Sequence, residues 1–490
     1  MNYPIILKTL SMVMLTMSAA FSACAGVSVF YGDSPLEAGA LSSWVCAVAL
    51  SVMTAFALYV PSRNAKREIF RKEAMCIVGI AWILTSLVGA LPYAMILSCS
   101  AAEAIFESTS GITTTGASVF SDFSQFPRSL MFWRCLSHWI GGLGVVVFFV
   151  AILSFLGASG KILYTNEKGS DSDDLEAARI KSGILGIIRL YVFLTACCLG
   201  LFLYFGMPKF DAVCHAFSVV STGGFSTRPD SFAGYQNYGI LWTAIVFMFL
   251  GGTNFPLLLA VAKLRFAKLR ENTEFWTYVL MCLTATAVVW TTLLCVSPQR
   301  TPFETFTHGV FQVVSLITTT GLCSENYQTW IPAAKMTLLL LIVVGGCSGS
   351  TSGGLKIFRA VAAFRICRRE TEKSFRPKVV RNVFINGRVL KDSDAAEVLS
   401  YSVLYMLAAA GGMLVLTLLE PRMSMTGCIS ATLAMIGNAG PGFAEVGCDA
   451  TYGFMSPFSQ IVLSVLMVMG RLEIYAVLVL LMPSLWKKFQ

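Results

Sequence analysis

Four short polar stretches, each bearing a glycine, interrupt the apolar sequence of this 490-residue chain. They read Thr113-Thr114-Thr115-Gly116, Ser221-Thr222-Gly223-Gly224, Thr318-Thr319-Thr320-Gly321 and Gly437-Asn438-Ala439-Gly440. Turning backbone carbonyls toward a common axis demands unusual φ/ψ values, which glycine adopts without steric cost. Threonine and serine add hydroxyls that can bind an ion or satisfy a neighbouring backbone group. Several weak oxygen ligands of this kind replace the hydration shell of a cation and still release it. The chemistry on offer is selection of a dehydrated monovalent cation.

Elements of a particular kind must position such stretches. Aligned on Gly116, Gly224, Gly321 and Gly440, the chain carries Thr114, Thr222, Thr319 and Asn438 two places earlier. Ser110, Ser218, Ser315 and Ala434 stand six places earlier, and Glu107, His215, Gln312 and Ala431 nine places earlier. Each repeat therefore reads as span, short re-entrant helix, filter loop, span, with the fourth most divergent. A bland alternative is that the glycines only let helices pack closely; four in register favour the loops. Irregular backbone at membrane depth must be buried in protein or line a water-filled path.

Composition agrees with a membrane chain. Hydrophobic residues make up 56% and charged residues 13%, with mean hydropathy +0.71, whereas soluble domains carry about 25% charged residues. Ten candidate spans lie near 9–30, 39–60, 74–98, 130–156, 183–206, 238–262, 276–297, 332–358, 398–419 and 457–483. Most of the 36 lysines and arginines fall in 1–8, 61–73, 157–189, 263–270, 356–391 and 484–490, which ten spans place on one side. By the positive-inside rule that side is the cytoplasm, so the four loops enter from outside. The net charge of +9 is then a topology signal and no nucleic-acid partner is expected. The first span reads as an anchor helix, although Ser22-Ala23-Cys24-Ala25 also fits a cleavage site. The fifteen cysteines are scattered without a CxxC pair and read as small packing residues.

Two further features fall inside spans. The stretch Gly345-Gly346-Cys347-Ser348-Gly349-Ser350-Thr351-Ser352-Gly353-Gly354 interrupts the eighth span; its freed backbone groups should line a cavity. Its likeness to a phosphate loop fails, because no strand precedes it and Lys356 does not follow the second glycine directly. Arg471 is a charge within the last span, a functional candidate by default. It either opposes cation passage below the loops or braces Glu473 or loop carbonyls. Glu107 and His215 are expected to hold re-entrant helices in place. Glu103 and Asp211 suit helix starts or the outer mouth, and His138 and His308 show no metal spacing.

These loops, the glycine-rich interruption and Gly470-Arg471-Leu472-Glu473 resemble the bacterial Trk/Ktr potassium-uptake superfamily, in its TrkH/TrkG branch. The resemblance implies an all-α integral membrane protein with two N-terminal helices and four helix–pore loop–helix repeats around a pseudo-fourfold pore. The repeats are expected at 61–157, 158–265, 266–391 and 392–490, after N-terminal helices over 1–60. It implies K+ as the transported ion, no organic cofactor, filter glycines at Gly116, Gly224, Gly321 and Gly440, and a gate at Gly345–Gly354 with Arg471. A serine replaces the first filter glycine in some Na+-transporting plant members, so Gly116 favours K+. It further implies a homodimer in the inner membrane above a cytosolic, nucleotide-binding TrkA-like ring, which the basic run Lys356–Lys391 is placed to meet. A K+/H+ or K+/Na+ symporter working by alternating access is the competing expectation. An enzyme would need a nucleophile–base or metal cluster, which three scattered histidines do not supply.

Overall fold

The computed structural model describes residues 1–64, 71–155, 173–296, 299–379 and 381–483. Helices α1 (Tyr3–Phe30) and α2 (Pro35–Tyr59) form an antiparallel hairpin, with Pro35 at the first position of α2 where its missing N–H is harmless. Met14, Met17, Phe21 and Cys24 recur at helical spacing along α1 and pack with Trp44, Tyr93 and Trp133. The first helix is thus part of the core, and Cys24 fills space there.

Four units of one design follow. The first holds α3 (Arg71–Gly89), α4 (Leu91–Leu97), α5 (Ala101–Ile112) and α6 (Arg128–Phe155). The second holds α7 (Asp173–Tyr204), α8 (Lys209–Val220), α9 (Tyr238–Gly251), α10 (Phe255–Ala262) and the short α11 (Phe266–Arg270). The third holds α12 (Thr273–Val296), α13 (Pro302–Ile317), α14 (Pro332–Val344) and α15 (Ile357–Phe375). The fourth holds α16 (Asp392–Leu419), α17 (Met425–Gly437), α18 (Pro457–Arg471) and α19 (Tyr475–Leu481). A two-residue antiparallel hairpin, β1 (Phe384–Ile385) and β2 (Arg388–Val389), pairs Phe384 with Val389 ahead of α16.

Helices α5, α8, α13 and α17 have 12, 12, 16 and 13 residues. At about 1.5 Å per residue they are too short for a hydrocarbon core of about 30 Å. They dip in and stop. Their starts are fixed locally: Ser100 caps α5 in a reciprocal box with Glu103, and Thr301 and Ser424 cap α13 and α17. Asp211 lies in the first turn of α8, where its carboxylate accepts from Thr227 Oγ1 and Tyr235 Oη. Glu103 therefore holds a helix start, whereas Asp211 ties the start of α8 to the segment beyond the second loop. Around these buried helices the longer ones turn apolar side chains outward, as Val403, Leu407, Leu414 and Leu418 do along α16. An exposed apolar face of that size is a lipid-facing surface.

Among the described residues seven helices are long and apolar enough to cross a bilayer, or nine if two bent pairs each count once. Two spans expected to be continuous are broken. The expected span 238–262 bends by 104° between α9 and α10, and 457–483 bends by 116° between α18 and α19. Asn254 explains the first break, because its side chain caps α10 by accepting from Leu257 N, with Pro256 in the first turn. At the second, Glu473 adopts φ +56°, a left-handed conformation that a continuing helix excludes. In the eighth span only Pro332–Val344 is helical before the interruption. The basic stretches 65–70, 156–172 and 484–490 lie outside the described residues, as does the boundary expected at 157/158.

Glu107 and Arg134 join α5 to α6 as an ion pair at 2.8 Å, with side chains 0% and 1% exposed. Glu107 also accepts from Val119 N and Ser118 Oγ beyond the first loop. His215 plays the corresponding part in α8, its Nε2 meeting Ser226 Oγ at 3.0 Å. Removing one partner of a buried pair leaves an uncompensated charge. Glu107→Ala is expected to destabilise the detergent-solubilised protein by about 3–5 kcal/mol in a denaturation titration. Adding Arg134→Met should recover much of that loss, whereas additive losses would show that the pair is not the source.

Candidate ion-conducting site

All four short helices end in the same way. In the first, Thr114 N donates to Gly111 O at 3.1 Å and Thr115 N to Ser110 O at 2.9 Å. Thr222 and Gly223, Thr319 and Thr320, and Asn438 and Ala439 repeat this pattern on their own helices. The turn requires left-handed backbone at Thr114, Thr222, Thr319 and Asn438, with φ between +52° and +54°. Gly116, Gly224, Gly321 and Gly440 then take φ of +81°, +96°, +74° and +81°. The loop N–H groups are spent on the helices. The carbonyls of Thr114, Thr115, Thr222, Gly223, Thr319, Thr320, Asn438 and Ala439 accept no hydrogen bond among the described residues. The helix C-termini also bring partial negative charge to this point, which favours a cation.

The loops close on one another in a cycle. A Cβ on Gly116 would lie 2.4 Å from Gly223 O, and one on Gly224 would lie 2.2 Å from Thr320 O. One on Gly321 would lie 2.1 Å from Ala439 O, and one on Gly440 2.5 Å from Thr115 O. Each glycine thus abuts the residue that precedes the glycine of the next loop, and the fourth returns to the first. The last two residues of each of the four sequence stretches are brought together as a single ring, and the first two of each lead into it from the helix. Thr113 and Thr115 share a hydroxyl hydrogen bond at 2.8 Å, and Thr318 and Thr320 one at 2.7 Å. Ser221 turns its hydroxyl back to Phe217 O.

His138, for which no role was expected, ties the end of α5 to the second loop. Its Nε2 accepts from Phe225 N at 3.1 Å, so Nδ1 carries the proton donated to Gly111 O at 2.7 Å. The ring also explains Gly223, where a Cβ would lie 2.3 Å from His138 Cγ. Asn438 ties the fourth loop to the first through Thr115 Oγ1 at 3.0 Å, and to Met467 O at 2.9 Å.

The Gly345–Gly354 stretch lies against the ring and meets it two places before the glycines. Thr351 Oγ1 is 3.1 Å from Thr222 Oγ1, and Gly353 N donates to Thr319 Oγ1 at 2.6 Å. A Cβ on Gly353 would lie 2.2 Å from Gly437 O and 2.9 Å from Asn438 Cβ. In the first loop the matching Thr114 hydroxyl is buried and has no partner among the described residues. The break between α9 and α10 completes the cradle. Gly251 O accepts from Thr351 N, Gly252 O from Cys347 N, and Asn254 Nδ2 donates to Ser348 O. Ser350 and Ser352 share a hydroxyl bond at 2.7 Å, and Gly345, Gly349 and Gly354 all take positive φ. Gly346 leaves room for Ser352 Oγ, which a Cβ would approach to 2.3 Å. This cradle was missed from the sequence, although Gly251-Gly252-Thr253-Asn254 with Pro256 carried the same small-residue signal as the interruption itself.

Arg471 is 5% exposed and donates from Nη1 to Thr351 O at 2.6 Å, while Nε and Nη2 have no partner among the described residues. It braces a loop carbonyl, one of the two partners expected. The other expected partner does not hold: Glu473 instead pairs with Arg359 at 2.6 Å. The helix break between them points the two side chains apart. Among the described residues no group of three His, Cys, Asp or Glu side chains could hold a metal ion.

The family model described as TrkH, cation transport protein, matches residues 42–488. The Trk system potassium uptake protein TrkH of Halomonas elongata is 30% identical over 492 residues, covering 100% of both chains. The Trk system potassium uptake protein TrkG of Escherichia coli K12 is 31% identical, over 85% of this chain and 86% of its own. The crystal structure of the potassium transporter TrkH from Vibrio parahaemolyticus superposes with TM-score 0.89 at 29% identity. It covers 99% of this chain and 100% of its own.

The ring makes a sharp contrast between glycines. Gly321→Ala forces a Cβ into Ala439 O at positive φ, whereas Gly411 in α16 has nothing within 4 Å of a Cβ. Gly411→Ala is expected to raise stability by up to about 1 kcal/mol. Gly321→Ala should lower the unfolding temperature and abolish most ion flux. Equal effects of the two substitutions would deny the close approach.

Proposed function

Because this chain belongs to the TrkH cation transport protein family, we propose that it conducts K+ passively through the ring and is gated by the Gly345–Gly354 stretch with Arg471. It is a potassium-uptake protein, multi-pass in the bacterial inner membrane and embedded in its lipid. The cyclic packing of four loops supports this reading more than any other observation, since it gathers carbonyls without partners around one axis. Gly116, Gly224, Gly321 and Gly440 are the filter glycines, and the flanking residues of the four stretches complete the filter. Several such oxygens in a buried site substitute for the hydration shell of K+.

The gate reading draws on two contacts: the stretch touches three of the four loops, and Arg471 holds its Thr351 carbonyl. A buried guanidinium with two unpartnered nitrogens opposes a passing cation unless water or movement relieves it. Transport without a chemical step is the role assigned, rather than enzymatic turnover. We assign the units to 61–157, 158–265, 266–391 and 392–490 after N-terminal helices over 1–60. A homodimer with a pore in each chain, above a TrkA-like cytosolic ring, completes the assembly. Helix α15 suits the ring's docking, because it carries Arg365, Arg368 and Lys373 beside exposed Phe364 and Phe375.

Flux into liposomes under imposed K+ and Na+ gradients tests the reading, with and without a proton gradient. K+-preferring flux that follows its own gradient is expected, with a weaker preference in Gly116→Ser. Obligatory coupling to H+ or Na+, unaltered by that substitution, would replace the conduit with a symporter.

A further inference from the structure

The stretch proposed as a gate is held from within and from just beyond its exit by one side chain from another helix. Glu274, in the first turn of α12 and 5% exposed, accepts from Ser348 N at 2.6 Å and from Phe358 N at 3.1 Å through the same oxygen. Ser348 lies inside the stretch, and Phe358 is the second residue of α15, which leaves it. The carboxylate is therefore seated on the N-terminus of α15, where helix N–H groups and the dipole favour an anion. Among the described residues it makes no ion pair, because nearby Lys356 donates instead to Ser352 O. Lys356, at the junction, has φ +78°, an unfavourable value for a side-chain-bearing residue. The exit from the stretch is thus a strained turn held from outside.

The adjoining residue reaches the cytoplasmic hairpin. Thr273 N donates to Asn386 Oδ1 at 2.8 Å and Asn386 N returns to Thr273 Oγ1 at 3.3 Å. Asn386 and Gly387 form the hairpin turn with positive φ at both, as a two-residue loop requires.

We infer that Glu274 is a positioning residue for gating: its carboxylate ties Ser348 within the Gly345–Gly354 stretch to the start of the helix that leaves it, which keeps the stretch against the ring, and the Thr273–Asn386 pair couples that latch to the hairpin. This inference rests on the gate assigned above. With the latch in place, Thr351 and Gly353 stay against the loops. Releasing Ser348 and Phe358 frees the stretch to leave. Any displacement of the hairpin pulls first on the residue beside Glu274.

Basal K+ flux into liposomes tests this, using the full chain without a partner, in wild type, Glu274→Gln, Glu274→Ala, Glu274→Asp and Asn386→Ala. A variant lacking Ser348–Ser352, alone and combined with Glu274→Ala, completes the set. Losing a hydrogen bond to a charged group shifts such an equilibrium by about tenfold, so Glu274→Ala, which removes both acceptor contacts, should raise flux at least about tenfold, and Glu274→Gln, whose amide oxygen still accepts but without the charge, should raise it less. Glu274→Asp should restore part of the closure and Asn386→Ala should give a smaller rise. In the deletion background Glu274→Ala should change nothing further. Flux unchanged or lowered in the Glu274 variants, while the deletion raises it, would overturn the latch and leave the gate standing. A further fall in the deletion background would mean that Glu274 only supports the fold. No change in Asn386→Ala would remove the hairpin from the latch. A deletion without effect on flux would overturn the gate assignment itself.

Discussion

Everything in this molecule is arranged around the close approach of four glycines to four carbonyls. Each Cα sits where a single methyl group would collide with the next loop, and because the contacts form a cycle no loop can shift alone. The preceding residues give their N–H groups to the helices behind them, so the loops meet the axis with acceptors and almost no donors. Buried acceptors without partners among the described residues are costly, and in the proposed function a dehydrated cation would relieve this deficit of donors. The short helices, their caps and the buried Glu107–Arg134 pair all serve to hold the four turns at one depth.

The interruption in the third unit shares that backbone logic but has a different set of partners. Its N–H and C=O groups are distributed among the α9–α10 break, Thr319, Glu274 and Arg471. Such bonds with several elements can be exchanged one at a time, whereas the ring has no spare contacts. A rigid ring beside a stretch held by separable bonds is the physical basis for assigning selection to one and gating to the other.

Much of this was legible in the sequence because membranes leave few options. Apolar length located the membrane-length segments, although two of the ten expected spans are broken, and the register of Thr114, Thr222, Thr319 and Asn438 before their glycines located the four loops. The residues at those positions are the ones that take left-handed backbone. What escaped was tertiary. The local mark of the break in the span 238–262 is Gly251-Gly252-Thr253-Asn254 with Pro256, which the apolar residues around it outweigh. Glu473 lies two residues from Arg471 and invited a pairing that the bend between α18 and α19 forbids. His138 and Glu274 act through backbone groups of distant loops, and such partners leave no spacing to read.

Crystals grown with Tl+ in place of K+ would show by anomalous scattering whether the ring binds a monovalent cation. Peaks are expected on the axis enclosed by the carbonyls of Thr115, Gly223, Thr320 and Ala439, weakened in Gly321→Ala. Peaks absent from that axis, with Tl+ ordered elsewhere in the protein, would contradict cation binding there and reduce the four loops to packing devices.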